Sequence, residues 1–327
     1  MRQASGKPPS QGWSCVLVSW NSAADLDRCL RSVLGQSLLP EQIIAVDNGS
    51  TDDSVSKLAS SGAQVIRNPH NLGFAVAANQ GLSQASAELV LLLNADVTLQ
   101  PDYVEQLAAE FTCDGSLYAA TGLLLRHDGT IDSAGHEMYR SRWAINRLAG
   151  SPSAAAGERC GVFGVSAAAA MYSLRVLYDL AVDGQVFDPA FFAYLEDVDL
   201  DWRAQLRGRH AVFNPAAVGY HRRHGSGAPS KAWGQRQIVK NRLLMLAKHE
   251  RLASALPDLP LILTFQVGKL LQSGLNHPSS LLGTIDALRL LPGALRQRRR
   301  IQATAVRSTL EVRSAMLPGM GPWRKAI

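Results

Sequence analysis

The chain has 327 residues, of which 46% are hydrophobic and 18% charged, and a formal net charge of +6. That balance, without a low-complexity block, excludes a disordered or fibrous chain and leaves enough length for one large domain or a domain with an appendage. The basic excess gathers in the last third, where Arg296, Arg298, Arg299, Arg300, Arg307 and Arg313 have few acidic neighbours; such a tail suits nucleic acid, anionic lipid or solvent alone.

Residues 1–12 are polar, contain Gly and Pro, have no apolar h-region, and read as a flexible leader rather than a signal peptide. Cys15, Cys29, Cys113 and Cys160 are widely spaced with no CxxC pair, which argues against a zinc site or a disulfide framework and fits a reducing cytoplasm. The β-rich run WSCVLVSW, residues 13–20, is the first predicted strand. Ser22 followed by Asp25 resembles a capping box that opens a helix with Leu26, Leu30 and Val33 on one face. A second strand, 43–46, ends at Asp47 and turns into a helix near Thr51. The third, 64–67, leads through a loop holding Asn71 and Gly73 into a helix that carries Asn79. A fourth apolar run, 90–93, stops at Asn94-Ala95-Asp96. Strands alternating with helical patterns predict βα units and a mostly parallel, Rossmann-like sheet. In an open sheet of that kind ligands bind beyond the carboxyl ends of the strands, so Ser19, Asp47 and Asp96 are expected to converge on one edge. The competing reading of each Asn/Asp cluster is an ordinary turn or helix cap.

Pro101 suits the first turn of a helix running to about Cys113, and 118–125 is a further strand. The polar, Gly-bearing stretch 126–160 receives no assignment, and 161–172 returns to an apolar strand. FDPAFFAYLEDVDLDWRAQLRG then joins an aromatic approach to an acidic helix ended at Gly208. On that helix Asp197 and Asp201 share a face, as do Glu196 and Arg203, whereas the adjacent Glu196 and Asp197 point apart. A solvated acidic helix is the bland alternative. After the strand and turn of VFNPAAVGYHRRHGSG, the sequence from Lys231 onward is helical and basic. This divides the chain into a leader (1–12), an α/β domain (13–230) and a C-terminal helical region (231–327). No apolar run reaches the roughly 18 residues of a membrane span.

Six blocks, VSWNSAADLDRCLRSVLGQ, VDNGSTDDS, NLGFAVAANQG, LLLNADV, FFAYLEDVDLDWR and YHRRHGSG, occur in an order that resembles the inverting glycosyltransferases of family 2, and among them the bacterial rhamnosyltransferase-like subgroup. The likeness covers about residues 13–250. It implies an α/β GT-A fold with the helical region appended, and transfer of a sugar, with L-rhamnose a candidate, from a dTDP or UDP carrier to a saccharide acceptor that is polyprenyl-linked in some members. It places Ser19, Asp47, Asn71, Gly73, Asn79, Asn94 and Asp96 on the nucleotide-sugar side. Asp96 and His221, rather than His224, would hold Mg2+ or Mn2+. Asp197 is the implied catalytic base, with Phe192, Tyr194 and Glu196 on the acceptor side. Two departures stand out: Asn94 replaces the first Asp of the DxD pattern, and Pro189 stands where an acidic residue is common. The resemblance further implies a cytoplasmic enzyme at the inner face of the membrane, the C-terminal helices meeting anionic lipid; the alternative is that those helices only pack on the catalytic domain or form a homodimer contact. A galactofuranosyl or hexosyl transferase, a turnover-free nucleotide-sugar-binding module and a nucleic-acid binder are the alternatives. The tail lacks the interleaved aromatics of the last.

Overall fold

A computed structural model describes residues 12–112, 114–223, 230–251 and 255–322; most of the leader, Cys113 and His224 lie outside them. Strands β1 (Trp13–Ser19), β2 (Gln42–Asp47), β3 (Gln64–Arg67) and β4 (Leu89–Asn94) run parallel in the order β3-β2-β1-β4. Helices α1 (Ala23–Leu34), α2 (Ser54–Ser60) and α3 (Phe74–Leu82) make the crossovers. Successive residues of β4 enter different cores: Leu91 and Leu93 pack with Leu17, Leu26 and Val104, while Val90 and Leu92 pack with Val16, Ile44 and Ala78. A strand covered on both faces needs apolar residues at every position, which is why β4 reads as an unbroken run.

Past β4 the ten-stranded sheet becomes mixed. Strand β11 (Ala169–Ser173) lies antiparallel between β4 and β6 (Leu117–Leu125), and β12 (His210–His221) pairs parallel with β6. Two short strands, β5 (Val97–Leu99) and β10 (Cys160–Val162), run antiparallel to β12. The expected parallel character therefore holds for the first half, and the predicted strand 161–172 is two strands in different places. Helix α4 (Tyr103–Ala108) is shorter than predicted and passes into a 3-10 turn. The unassigned stretch supplies β7 (Ile131–Ser133) on the edge of β6 and a separate hairpin, β8 (His136–Met138) with β9 (Ala144–Asn146).

The capping box expected at Ser22 does not form. Ser22 Oγ donates to Trp20 O at 3.1 Å, and Asp25 pairs with Arg28 at 2.7 Å and Arg222 at 3.1 Å. Helix α5 (Leu174–Leu180) follows β11, and every residue of the next helix, α6 (Glu196–Leu206), is buried, which rules out the solvated acidic helix. It is covered by α7 (Lys231–His249), α9 (Leu282–Ala303) and α10 (Thr309–Arg313): Val198, Trp202 and Leu206 share one apolar cluster with Leu244, Met245, Ala294, Ile301 and Val312. Helix α8 (Leu259–Asn276) lies between α7 and α9 in the chain. The C-terminal helices thus complete a core that α6 alone could not close.

Candidate active site

The sheet edge is built by register. Ser19 pairs with Asp47 and Val18 with Asn94, so β1, β2 and β4 stop together. Beyond them lies a cavity of about 360 Å³ bordered by Trp20, Asn48, Asn71, Asn94 and Asp96 and by Tyr194, Asp197 and His221. Phe192 and Glu196 also line it. Asn94 shares the cavity wall with Asp96 instead of facing away.

Four of the expected donor residues do not line the cavity. Ser19 and Asp47 are buried beneath it. Asp47 Oδ2 accepts from Ser50 N at 3.1 Å, the turn contact, while Asp47 Oδ1 and Ser19 Oγ have no hydrogen-bond partner among the described residues. Gly73 has φ +89, and a Cβ there would fall 2.6 Å from Phe192 O, so this glycine permits a close approach of the 192 loop. Asn79 donates to Phe187 O at 2.7 Å and accepts from Phe187 N at 2.9 Å, fastening α3 to the segment before α6. Asn48, which the sequence reading passed over, holds the 71–73 loop: its Nδ2 donates to Asn71 Oδ1 at 3.0 Å and its Oδ1 accepts from Leu72 N at 3.0 Å.

The pairing of β5 with β12 sets His221 opposite Val97, next to Asp96. His221 Nε2 lies 3.3 Å from Asp96 Oδ1, and Nδ1 lies 2.8 Å from Asp132 Oδ2. Asp132, from β7, is flanked by Arg126 at 3.0 Å and Arg223 at 2.6 Å. Burial alone would depress the His221 pKa, but the bonds to Asp132 and Asp96 outweigh it and hold it up at about 9. Burial pushes the Asp96 carboxyl upward, and the His221 contact more than offsets this, leaving it below its ordinary value. Among the described residues no group of three or more His, Cys, Asp or Glu forms a metal cage. One carboxylate and one imidazole backed by a second carboxylate fit Mg2+ or Mn2+ if His221 Nε2 gives up its proton and phosphate oxygens and water complete the shell, because such ions need few protein ligands.

The loop before α6 carries three non-glycine residues with left-handed backbone, Phe192 (φ 63), Tyr194 (φ 71) and Leu195 (φ 66). Such conformations cost of order 1–3 kcal/mol each and persist where surroundings enforce them. Asn241 of α7 does so: its Nδ2 reaches Phe191 O, Ala193 O and Tyr194 O at 3.0, 2.9 and 2.6 Å. Trp233 packs on the Phe192 and Tyr194 rings, with centroids 5.6 and 6.3 Å apart, and also lines the cavity. Asp197 enters at the first turn of α6 and accepts from Ala167 N at 3.2 Å and Val198 N at 2.9 Å. Glu196 is not electrically independent of it: burial first, and then the Asp197 charge, push the Glu196 carboxyl well above its ordinary value. Arg203 pairs with Asp199 at 3.1 Å. Trp20, Asn48, Asp132, Trp233 and Asn241 are the site residues missed from sequence. Lys240, whose Nζ donates to Phe191 O at 3.3 Å, stands seven residues after Trp233 on one predicted helix, and that same-face spacing is the signal available for part of them.

An open sheet with a ligand cavity at its strand ends and a carboxylate helix facing that cavity is the GT-A arrangement. Residues 14–181 match the Glycosyl transferase family 2 model, and the chain belongs to that family. It is 23% identical over 215 residues to the poly-beta-1,6-N-acetyl-D-glucosamine synthase of Staphylococcus aureus, covering 64% of this chain and 49% of the relative. The chain thus spans about half the length of that relative. Among solved structures, GalNAc-T7 with UDP, GalNAc and Mn2+ aligns with TM-score 0.56 and 17% identity over 74% of this chain and 48% of its own. The mannosyltransferase PcManGT of Pyrobaculum calidifontis, in complex with GDP-Man and Mn2+, aligns with TM-score 0.51 and 15% identity over 93% of this chain and 86% of its own. At these identities the likeness speaks for the fold.

Proposed function

We propose that this chain is an inverting, metal-dependent glycosyltransferase of cell-surface polysaccharide synthesis, taking its sugar from a nucleoside diphosphate carrier. The observation that carries the reading is that Asp96 with His221, and Asp197, open onto one cavity, so a leaving diphosphate and an attacking hydroxyl can be served together. Asp197 takes the proton of an acceptor hydroxyl as its oxygen bonds to the anomeric carbon, and the bond from that carbon to the diphosphate breaks on the other face. A divalent cation held by Asp96 and His221 would offset the charge gathering on the diphosphate. Ser19, Asp47, Asn71 and Asn94 serve the nucleotide, and the unpartnered Ser19 Oγ and Asp47 Oδ1 support that role. Gly73 and Asn79 serve it indirectly, by shaping the loop and helix around it. Phe192, Tyr194 and Glu196 form the acceptor side, where aromatic faces suit a sugar ring. The donor we favour is dTDP- or UDP-linked, L-rhamnose first, with a galactofuranosyl or hexosyl donor next.

Saturating UDP or dTDP with Mn2+ or Mg2+ is expected to raise thermal stability. The gain is about 2.7 kcal/mol at a hundredfold excess over Kd and is reduced in Asp96→Ala. Thermal melts of both proteins with a panel of nucleoside diphosphates check this, and no shift with any of them sinks the donor reading. A screen of nucleotide sugars, read by diphosphate release, then identifies the donor.

Among the described residues no helix is long and apolar enough to cross a membrane. Helix α8 nevertheless exposes Leu263, Val267, Leu271 and Leu275 four residues apart. Helix α9 exposes Ile285, Leu288 and Leu295 among Arg289, Arg296 and Arg299. Apolar stripes beside arginines suit an anionic headgroup layer, and we place the enzyme at the inner face of the membrane, near a lipid-linked acceptor. Sedimentation with phosphatidylglycerol vesicles, but not with phosphatidylcholine vesicles, is the expected result, lost on Leu271→Asp with Leu275→Asp. Equal behaviour on both vesicles together with a dimer in solution would assign the face to a second copy instead.

A further inference from the structure

Beneath Asp197 lies a polar group on side chains that the transfer chemistry leaves unused. His136, at the start of β8, is fully buried, and its Nδ1 lies 2.7 Å from Asp201 Oδ2. Asp201 Oδ1 accepts from the Tyr118 hydroxyl at 2.6 Å and from Val165 N at 3.2 Å. An ionised Asp201 offers only acceptors, so with the carboxylate in that form the His136 Nδ1 facing Oδ2 is the donor. The other ring nitrogen, Nε2, has no hydrogen-bond partner among the described residues and lies 3.8 Å from Asp197 Oδ2. The backbone is shaped around this pair: a Cβ on Gly164 would fall 1.8 Å from Asp201 Cγ, and Gly164 O accepts from His136 N at 2.8 Å.

We infer that His136, anchored through Nδ1 by Asp201, is a positioning residue that holds the Asp197 carboxylate ionised and oriented beneath the cavity. The inference rests on the reading of Asp197 as the base. A base must be free of its proton before the acceptor arrives, and an opposite charge close behind a carboxylate favours its ionised form.

The surrounding groups leave His136 in that role. From α6 it meets Asp197 and Asp201, with Glu196 adjacent; β6 and β11 contribute the phenols of Tyr118 and Tyr172, and β9 the amide of Asn146. Burial, followed by the Asp201 charge, pushes both phenols well up, so both are neutral. Burial would depress His136, yet Asp197 and Asp201 outweigh it and raise its pKa. Burial also lifts the Asp201 carboxyl, to about 6, with the His136 contact pulling the other way.

The test follows the His136 imidazole titration by NMR in the wild type and in Asp197→Asn, with the resonance assigned by its loss in His136→Gln. Removing the Asp197 charge is expected to lower the His136 pKa by about one pH unit, and an unchanged titration overturns the inference. In His136→Gln, with folding verified by circular dichroism, the acid limb of the kcat profile should move up by about one pH unit and activity should recover at alkaline pH. A loss of equal size at every pH would mean a structural role only and overturns it too. Should His136→Gln not fold, the Asp197→Asn titration still decides, with assignment by selective labelling. The titration needs no turnover, so transfer persisting in Asp197→Asn would sink the base reading while leaving the coupling separately measured.

Discussion

Asp197→Asn is expected to reduce sugar transfer by about 10²–10⁴-fold, the usual worth of a positioned general base. The substitution keeps the side-chain volume and one carbonyl oxygen, so either the Ala167 N–H or the Val198 N–H retains its acceptor. Losing the other bond costs about 1–3 kcal/mol of stability, which a melt will separate from the catalytic loss. Because the proton moves only during the reaction, kcat and kcat/KM should fall together while donor binding stays intact. Nucleoside diphosphate release in the presence of acceptor is the measurement, and near-parental turnover in a folded variant removes Asp197 from the mechanism.

Legibility from sequence followed the range of the interactions involved. The β1, β2 and β4 ends were readable because each is a local pattern, an apolar run closed by a polar cluster, and the parallel topology follows from alternation with helices. His221 was placed beside Asp96 by resemblance; its physical cause, the β5 and β12 pairing, joins residues far apart in the chain and leaves no periodic trace. Asp132 and His136 escaped for a related reason. Their strands are only three residues long, too short to show alternation, and both act through partners on α6 or β12. The Ser22 box failed because Asp25 found two arginines, one of them Arg222 from far along the chain, while a true capping box at Ser308 and Glu311 went unnoticed among basic residues. Helix α6 shows most clearly that charge composition is a poor guide to burial when the partners come from later helices.

Those partners make Asp199→Asn the substitution with the largest expected effect on stability. Asp199 is fully buried, with Lys248 at 2.7 Å, His249 at 2.9 Å and Arg203 at 3.1 Å. Lys248 also reaches Asp188 at 2.9 Å, and His249 stacks on Trp202 with ring centroids 4.9 Å apart. Neutralising Asp199 leaves the buried Lys248 and Arg203 sharing too little negative charge, a loss of about 3–5 kcal/mol. The sign with pH is fixed by the same contacts. Burial alone would raise the Asp199 carboxyl, but Lys248 and Arg203 bring it far below the ordinary carboxylate range. A depressed folded pKa contributes stability in full above the unfolded value of about 3.9 and loses it as the pH falls toward the folded one. Urea unfolding of the wild type should therefore show stability falling below about pH 4, and the Asn variant should start lower and fall less steeply over that range. Since Asn241, which fixes the left-handed 192–195 backbone, sits on the same helix as Lys248 and His249, the variant should also lose transfer before it unfolds globally. A variant as stable as the parent, with a parallel pH dependence, would show that α7 is held to α6 by apolar packing alone.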